Sequence, residues 1–462
     1  FLWWKSSDNR YLFAATFIYG LGLANHHTLV AFIPLLLAFI FAGKRKSLKG
    51  IGQIICLFIL FMLGFSAYLY LPLRAMQSPP MNWGDPQTFS RFLDVILRRQ
   101  FPTVDTPLTL HTVSMQIAYY SKALIREFTL SAIPLAIWGC IRTYKLGMAP
   151  FLFMIALFTV HGVGTLFFLN PSNEFNYANV NVMMLPSYAI FAIWIGWGIK
   201  EAAEMLSTRR RGKGIALALI IIFGLFAIYN GIDSFKKNDE SSNYFAIDYG
   251  SNIFSSMDNN GIIFVESDTA LFPLWYLQFV EGKRADAAVM DVDFLMLPWF
   301  KGQIEERYKS IEINVEDLGK HASGSRKSVG MENMIDAFKV DQIESIMDDL
   351  PDAMPVYLSY ELGPVYRNFK NRKNTYLINE GIIYKISKTY ERPDFSKWDA
   401  FELRSLIKYP LSPDPYTLAL AAAYSGSMQR RAQQLFAKGQ KKEAMEIIKK
   451  IKEIRAGMKA AF

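Results

Sequence analysis

Cysteine, histidine and, over its first half, acid are what this 462-residue chain has little of. Cys56 and Cys140 both sit in apolar runs, and the second half has no cysteine. That leaves no CxxC, no metal-ligand spacing and no disulfide framework, so cysteine usage says nothing of redox compartment. P-loop, GxGxxG, GxSxG and HExxH signatures are all missing, which removes the common soluble-enzyme classes they mark. Acid is scarce where apolar residues are dense. Residues 1–233 carry 9 Asp/Glu against 19 Lys/Arg, net +10, whereas residues 234–462 carry 32 against 31. With 52% apolar residues and runs long enough to cross a bilayer, the chain is neither one soluble globule nor disordered. What remains is a membrane domain followed by a water-soluble domain. The basic excess belongs to the membrane half and reads as topology and lipid-phosphate contact, not as nucleic-acid binding. The chain opens at Phe1 beside an apolar segment, without Met or a signal-peptide pattern, so the true N-terminus is expected upstream.

Seven spans are expected, near 11–25, 29–43, 51–72, 127–141, 149–169, 181–199 and 214–232. Several fall short of the ~20 residues an ideal span needs. Asn25, His26, His27 and Thr28 would be costly at the centre of one long helix, so a turn at an interface is expected there. With the N-terminus inside, short inner loops hold 13 Lys/Arg: Lys5, Arg10, Lys44, Arg45, Lys46, Lys49, Arg142, Lys145, Lys200, Arg209, Arg210, Arg211 and Lys213. The outer side holds six, Arg74, Arg91, Arg98, Arg99, Lys122 and Arg126, all in the loop 73–126. Positive-inside bias then puts the C-terminal domain outside the cytoplasm. The six outer cations admit two readings. A long loop tolerates them, or they meet a phosphate-bearing ligand at the outer surface.

That loop is structured in its pattern. An aromatic stretch ending at Pro72 leads to Arg74, and 78–86 is turn chemistry. Phe89, Phe92, Leu93, Ile96 and Leu97 then recur at helical spacing, with Arg91, Asp94, Arg98 and Arg99 on other faces, which predicts an amphipathic interfacial helix. The second outer loop, 170–177, is polar and carries one acid.

In the second half, 262–265, 287–292 and 356–360 read as strands, and 376–386 as a hairpin around Asn379-Glu380-Gly381. A helix over 270–281 is expected, with Asp268 or Thr269 as its cap and Pro273 in its first turn. The first strands should be largely parallel, in an α/β layer. The polar stretch 309–340 is expected to be a mobile loop. Residues 414–455 read as one tetratricopeptide-like helix pair, too few for a solenoid and suited to a terminal brace or docking helix. The expected domains are therefore 1–233 (transmembrane), 234–395 (extracytoplasmic α/β) and 396–462 (C-terminal helical).

Several polar residues are candidates. Glu266 and Asp268 lie where a strand ends and a helix begins, the usual active edge of an α/β sheet, though a cap and a solvated acid explain them as well. His26 and His27 are sequence neighbours, pointing about 100° apart on a helix, and cannot chelate one metal as a pair. With Asn25 they could bond a sugar or phosphate, or simply cap a helix end. His161 lies within a span and can serve a neighbouring helix. Arg74, Arg98 and Arg99 suit phosphate, because a guanidinium fork matches its oxygens.

Three runs occur in one order: Gly20-Leu21-Gly22-Leu23-Ala24-Asn25-His26; Leu71-Pro72-Leu73-Arg74 with Met81-Asn82-Trp83-Gly84-Asp85-Pro86; and Phe272-Pro273-Leu274-Trp275-Tyr276-Leu277-Gln278 with Glu281-Gly282-Lys283-Arg284-Ala285-Asp286. Over about residues 10–390 they resemble a bacterial membrane-protein family, formerly of unknown function, that is similar to a eukaryotic transmembrane protein O-mannosyltransferase and to GT-C glycosyltransferases. The resemblance implies a GT-C-like polytopic helical membrane domain that takes a sugar from a polyprenyl-phosphate carrier at the outer face. It also implies a catalytic acid in the loop after the first span of such enzymes. No stretch here matches that loop, so the catalytic acid is expected upstream of Phe1.

The expected function is transfer of a hexose such as mannose from polyprenyl phosphate to a hydroxyl of an exported protein or to a glycan, at the bacterial inner membrane. Arg74, Arg98, Arg99, Asn25, His26, Asn82 and Asp85 are the donor-site candidates, and Glu266 and Asp268 the soluble-domain ones. No cofactor and no metal ligand is assigned, and a divalent metal stays open. Two rivals remain, a non-catalytic envelope scaffold and a transporter or flippase for the lipid-linked sugar. A transporter should show charged residues within spans and inverted repeats, and neither is visible.

Overall fold

The computed structural model describes residues 2–43, 50–99, 108–171, 177, 180–209, 212–309, 311, 313, 329–351, 354–368, 375–393, 396–408 and 415–460. Lys44, Arg45, Lys46, Lys49, Arg210, Arg211 and most of the outer loop 170–177 therefore lie outside the described residues. The chain divides into two compact units. One is Phe1–Leu73 with Pro102–Asp239, and the other is Arg74–Phe101 with Glu240–Phe462.

The first unit is helical. Ile51–Ala75, Met148–Leu169, Val182–Ser207 and Gly212–Lys237 are long and apolar enough to cross a bilayer, making this a multi-pass membrane protein. A fifth span is available if Leu110–Phe128 and Ala132–Leu146 form one, but they meet at a bend of 102°. The expected span 127–141 straddles that bend, where Thr129 takes a left-handed φ of 65°. The first two expected spans are shorter helices, Asn9–Asn25 and Phe32–Ala42, joined by a 3-10 turn His27–Ala31. The chain breaks at His26, which is extended, among the four polar residues that predicted a turn.

Small residues set how closely these helices approach. A methyl on Gly20 would overlap the Phe61 carbonyl oxygen, and one on Gly64 would overlap that of Phe17. Gly139 and Gly198 meet the carbonyls of Trp194 and Leu135 in the same way. Such backbone-to-backbone packing replaces the hydrophobic drive that lipid does not supply. The buried Glu201 then accepts from Lys145 Nζ at 2.9 and 3.0 Å and pairs with Arg142 at 3.3 Å, so its charge is not left alone.

The second unit is a mixed sheet with helices. Its strands are β1 (Ile262–Val265), β2 (Ala288–Asp291), β3 (Val356–Ser359), β4 (Tyr376–Asn379) and β5 (Ile383–Ser387), in the order β2-β1-β3-β5-β4. The first three strands are fully buried four-residue runs, apolar except for Asp291 and Ser359 at the ends of β2 and β3, that pair in parallel, and a βαβ connection suits strands of this kind. β5 runs antiparallel to β3 and β4. Asn379 Oδ1 accepts from the amide of Gly381, whose φ of 112° favours glycine, and so closes the hairpin.

The helix after β1 spans Asp268–Phe279, two residues earlier than expected. Ser267 therefore holds the cap position without a side-chain bond, Asp268 sits in the first turn, and Pro273 falls in the interior. Part of 309–340 is also reassigned. Ile311 and Ile313 are buried, and Val329–Asp349 is a helix anchored by Val340, Ile343 and Ile346. Its apolar anchors lie at or beyond the end of that window, which is why the window alone reads as a loop. Residues 314–328 lie outside the described residues.

Helices Pro415–Ala437 and Lys441–Ala460 pair, and Tyr424, Met428, Ile451 and Ile454 join the core around the sheet. Asn252 fastens them by donating to Tyr424 Oη at 2.9 Å and to the Glu402 carbonyl at 2.7 Å. The pair thus shares one hydrophobic core with the sheet.

Candidate functional site

The segment 74–99 leaves the end of a membrane helix and is built into the second unit. Asn82 is buried, and its backbone N–H donates to Gln303 Oε1 at 3.0 Å while its carbonyl accepts from Gln303 Nε2 at 2.7 Å. Arg307 donates to the Pro80 carbonyl. Trp83 packs against Phe272, Phe294 and Trp299, at ring separations of 6.3, 5.1 and 5.5 Å. Asn82 Nδ2 donates to Asp85 Oδ1 at 2.8 Å, and Arg91 pairs with Asp85. Asn82 and Asp85 therefore fix the turn, with Asp85 itself at a left-handed φ of 43°. Thr88 caps helix Phe89–Ile96 through the amide of Arg91 at 3.3 Å. Arg74 is exposed and donates to Gln77, Arg99 pairs with Asp94 at 3.0 Å, and Arg98 is exposed at a left-handed φ of 53°. The structure brings Asn82 and Asp85 together and leaves Arg74, Arg98 and Arg99 at the surface.

The carboxyl ends of β1, β2 and β3 gather a second group. Lys339 Nζ reaches Glu266 at 2.6 Å and Asp293 at 3.0 Å. Burial pulls the Lys339 ammonium down, but Asp293 and Glu266 together outweigh it and hold the group charged. Asp291 is buried at the end of β2, and its Oδ1 accepts from the amides of Asp293 and Phe294 at 2.9 and 3.1 Å. Burial, then the charges of Asp293 and Asp268, push the Asp291 carboxyl up to about 7. Desolvation raises Asp268 as well. Burial likewise raises Glu361 after β3, whose carboxylate faces the hydroxyls of Ser359 and Tyr249 without reaching hydrogen-bonding geometry. Asp291 can thus hold or accept a proton near neutral pH, and buried carboxyls of this kind can bond a hydroxyl-bearing ligand. Among the described residues, no group of three or more His, Cys, Asp or Glu is placed to hold a metal ion.

Sequence reasoning finds Glu266 and Asp268 in this group and misses Asp291, Asp293, Lys339 and Glu361. An acid closing an apolar strand, as Asp291 and Glu361 do, is the signal that could have found two of them. Lys339 carries no such signal, because its helix is polar on the sequence.

In the membrane unit, Asn25 ends its helix and the His26 ring Nδ1 lies 2.6 Å from Thr28 Oγ1. The His26 and His27 rings stack at 5.0 Å. His161 is buried in a π-helical stretch, Val160–Gly164, with its ring 3.9 Å from that of Phe32, just after the turn. Gln116 Nε2 donates to Asn170 Oδ1 at 2.7 Å. Polar groups in this unit thus cluster around the helix breaks, where backbone irregularity is tolerated only inside protein.

Several motif residues are fasteners. Gln278 donates to the carbonyls of Arg284 and Ala287 at 2.9 and 2.7 Å. Arg284 caps the end of helix Phe245–Ser256 by donating to the carbonyls of Phe254 and Met257, and it bonds Asp286.

Residues 246–360, which hold the whole acidic edge except Glu361, match the family model of TMEM260-associated domain 2. A protein O-mannosyl-transferase tmem260 of Dictyostelium discoideum is 26% identical over 343 residues, 64% of this chain and 39% of that protein. Protein O-mannosyl-transferase TMEM260 of Mus musculus is 25% identical over 297 residues, 61% of this chain and 41% of that protein. This chain spans about two fifths of the length of these curated relatives. No solved structure matches it. The motifs, the apolar helices and these likenesses are together consistent with an O-mannosyltransferase-like membrane family.

Proposed function

We propose that this protein is a polytopic membrane glycosyltransferase of the GT-C type. It moves a hexose, mannose foremost, from a polyprenyl-phosphate carrier to a protein hydroxyl or a glycan on the outer face of a bacterial inner membrane. The observation that carries this reading is the likeness to two O-mannosyl-transferases over more than three fifths of the chain. Seven spans fit if Asn9–Asn25 and Phe32–Ala42 each cross and the bent pair supplies another crossing. The 13-to-6 distribution of cations supports a topology in which the domains 234–395 and 396–462 lie outside the cytoplasm, the latter as a tetratricopeptide-like pair bracing the former.

The chemistry assigns roles. An acceptor hydroxyl attacks the anomeric carbon and loses its proton to a base, while the bond from that carbon to the phosphate oxygen breaks. Charge builds on the departing polyprenyl phosphate, and a guanidinium stabilises it. Arg74 is the first choice, since it lies in the last turn of the apolar helix Ile51–Ala75, where a lipid phosphate would sit, with Arg98 and Arg99 as further cations. Asn25 and His26 would bond the sugar or phosphate, with Asn82 and Asp85, which bond each other in the turn after that helix, as further donor-site candidates. Glu266, Asp268 and their neighbours would hold the acceptor. No described residue is assigned as the base.

Donor binding tests the site. Purified protein in nanodiscs should bind polyprenyl-phosphate mannose, and Arg74→Ala should weaken binding about ten- to a hundred-fold, the loss of one charge-assisted bond. Arg74→Lys should recover part of it, since the fork is lost. Unchanged binding in the alanine variant removes this site. A reporter fused at residue 462 should be active only outside the cytoplasm, and cytoplasmic activity overturns the topology.

A further inference from the structure

Helix Phe89–Ile96 is strongly amphipathic, and among the described residues of the second unit its apolar face is only partly covered. Phe89, Phe92, Leu93, Ile96 and Leu97 fall within about 140° of arc at 100° per residue, Arg91 and Asp94 lie on the other side, and Ser90 sits at the boundary. Phe89 is 76% exposed and Leu97 56%, while Phe92, Leu93 and Ile96 are half-buried. Among the described residues no helix or strand packs along its length. An exposed apolar face of this kind marks an interaction surface.

Three features say what meets it. The first is continuity, because the apolar helix Ile51–Ala75 ends 14 residues before Phe89 and the intervening turn is locked by Gln303, Trp83 and Asp85. The helix therefore cannot drift far from a span end. The second is charge. Arg74, Arg91, Arg98 and Arg99 against Asp85 and Asp94 leave the segment 74–99 net positive, and all four guanidinium-bearing residues are exposed. The third is the character of the exposed residues. Large apolar side chains flanked by arginines, on a short helix that follows an apolar helix in the chain, fit the boundary between acyl chains and anionic headgroups.

We propose that this helix is a bilayer-docking face, through which the second unit rests on an anionic phospholipid surface. Phe89 and Leu97 insert below the headgroups, and Arg91, Arg98 and Arg99 lie at phosphate depth. The proposal does not depend on the transfer reaction, so it can fail while that reading stands, and the reverse.

Nitroxide labels read the depth directly. The full chain with Cys56→Ser and Cys140→Ser carries one label at Phe89→Cys, Leu97→Cys or Arg91→Cys, in nanodiscs of mixed phosphatidylglycerol and phosphatidylcholine. All three positions are exposed, so labelling leaves packing untouched, and an unchanged Tm confirms it. Labels at 89 and 97 should be several-fold more accessible to oxygen than to a water-soluble nickel complex, with the ratio reversed at 91. Equal nickel access at all three positions means the face is in water and overturns the proposal. Shielding of 89 and 97 from both reagents means a protein covers the face, a second copy included, and also overturns it.

Discussion

The side-chain amide of Gln303 holds the backbone of Asn82 in both directions, accepting from its N–H and donating to its carbonyl across 221 residues of sequence. A segment that leaves a membrane helix is thereby made part of a soluble core. Both amide groups are used, so no neighbouring residue type substitutes well. Gln303→Ala should cost about 1–3 kcal/mol, since each of the two bonds is worth about 1 kcal/mol. Gln303→Glu should be no milder, because a carboxylate cannot donate to the carbonyl. Trp83→Ala, which empties the box of Phe272, Phe294 and Trp299, should cost on the order of 2–4 kcal/mol, less than a fully buried Trp. Thermal melts with limited proteolysis of 76–88 check this, and wild-type resistance in all three variants contradicts it.

Asp291 predicts a pH dependence. Its folded carboxyl titrates at about 7, against about 3.9 in an unfolded chain. The folded state keeps a proton that the unfolded state has lost, so this residue's contribution falls as pH rises from about 4 to about 7 and is flat above. Three pKa units correspond to roughly 4 kcal/mol. Asp291→Asn keeps an oxygen for the amides of Asp293 and Phe294 and carries no charge. The variant should match wild type near pH 4.5 and exceed it in Tm at pH 8. A variant less stable than wild type at pH 8 shows that the ionised carboxylate stabilises the turn instead.

The membrane unit makes its own prediction through glycine. Gly139→Ala and Gly198→Ala each drive a methyl into a carbonyl of the facing helix, and overpacking of this kind costs about 1–3 kcal/mol or more. Gly196, on the same helix as Gly198, has nothing within 4 Å of an added methyl. Gly196→Ala should leave the melting temperature in detergent within a degree or two or raise it, since alanine favours helix. Equal effects at positions 196 and 198 contradict the close approach.

The contrast between these sites shows what a sequence discloses. β1, β2 and β3 are short buried apolar runs with turn residues at their ends, so their existence and parallel pairing are legible. The break at His26 is legible because four polar residues cannot sit mid-span. The seat of 78–86 is not, because its partners Gln303, Arg307 and Phe294 lie over 200 residues away and carry no local pattern. Helix Val329–Asp349 is hidden by a similar cause, since its apolar anchors are sparse and Lys339 is buried only because Glu266 and Asp293 meet it. Of the motif residues, Gly20, Gln278 and Arg284 turn out to serve packing and capping, and sequence alone does not separate such roles from chemistry.

Sugar transfer in proteoliposomes tests the central claim most directly. Full-length protein is reconstituted with radiolabelled polyprenyl-phosphate mannose and a Ser/Thr-rich exported polypeptide. The account predicts label on the polypeptide that mild alkali releases, as an O-glycoside on Ser or Thr, and a rate reduced about ten- to a hundred-fold at subsaturating donor by Arg74→Ala. Donor that binds and crosses the bilayer with no label reaching protein or glycan would contradict it and favour a carrier of the lipid-linked sugar.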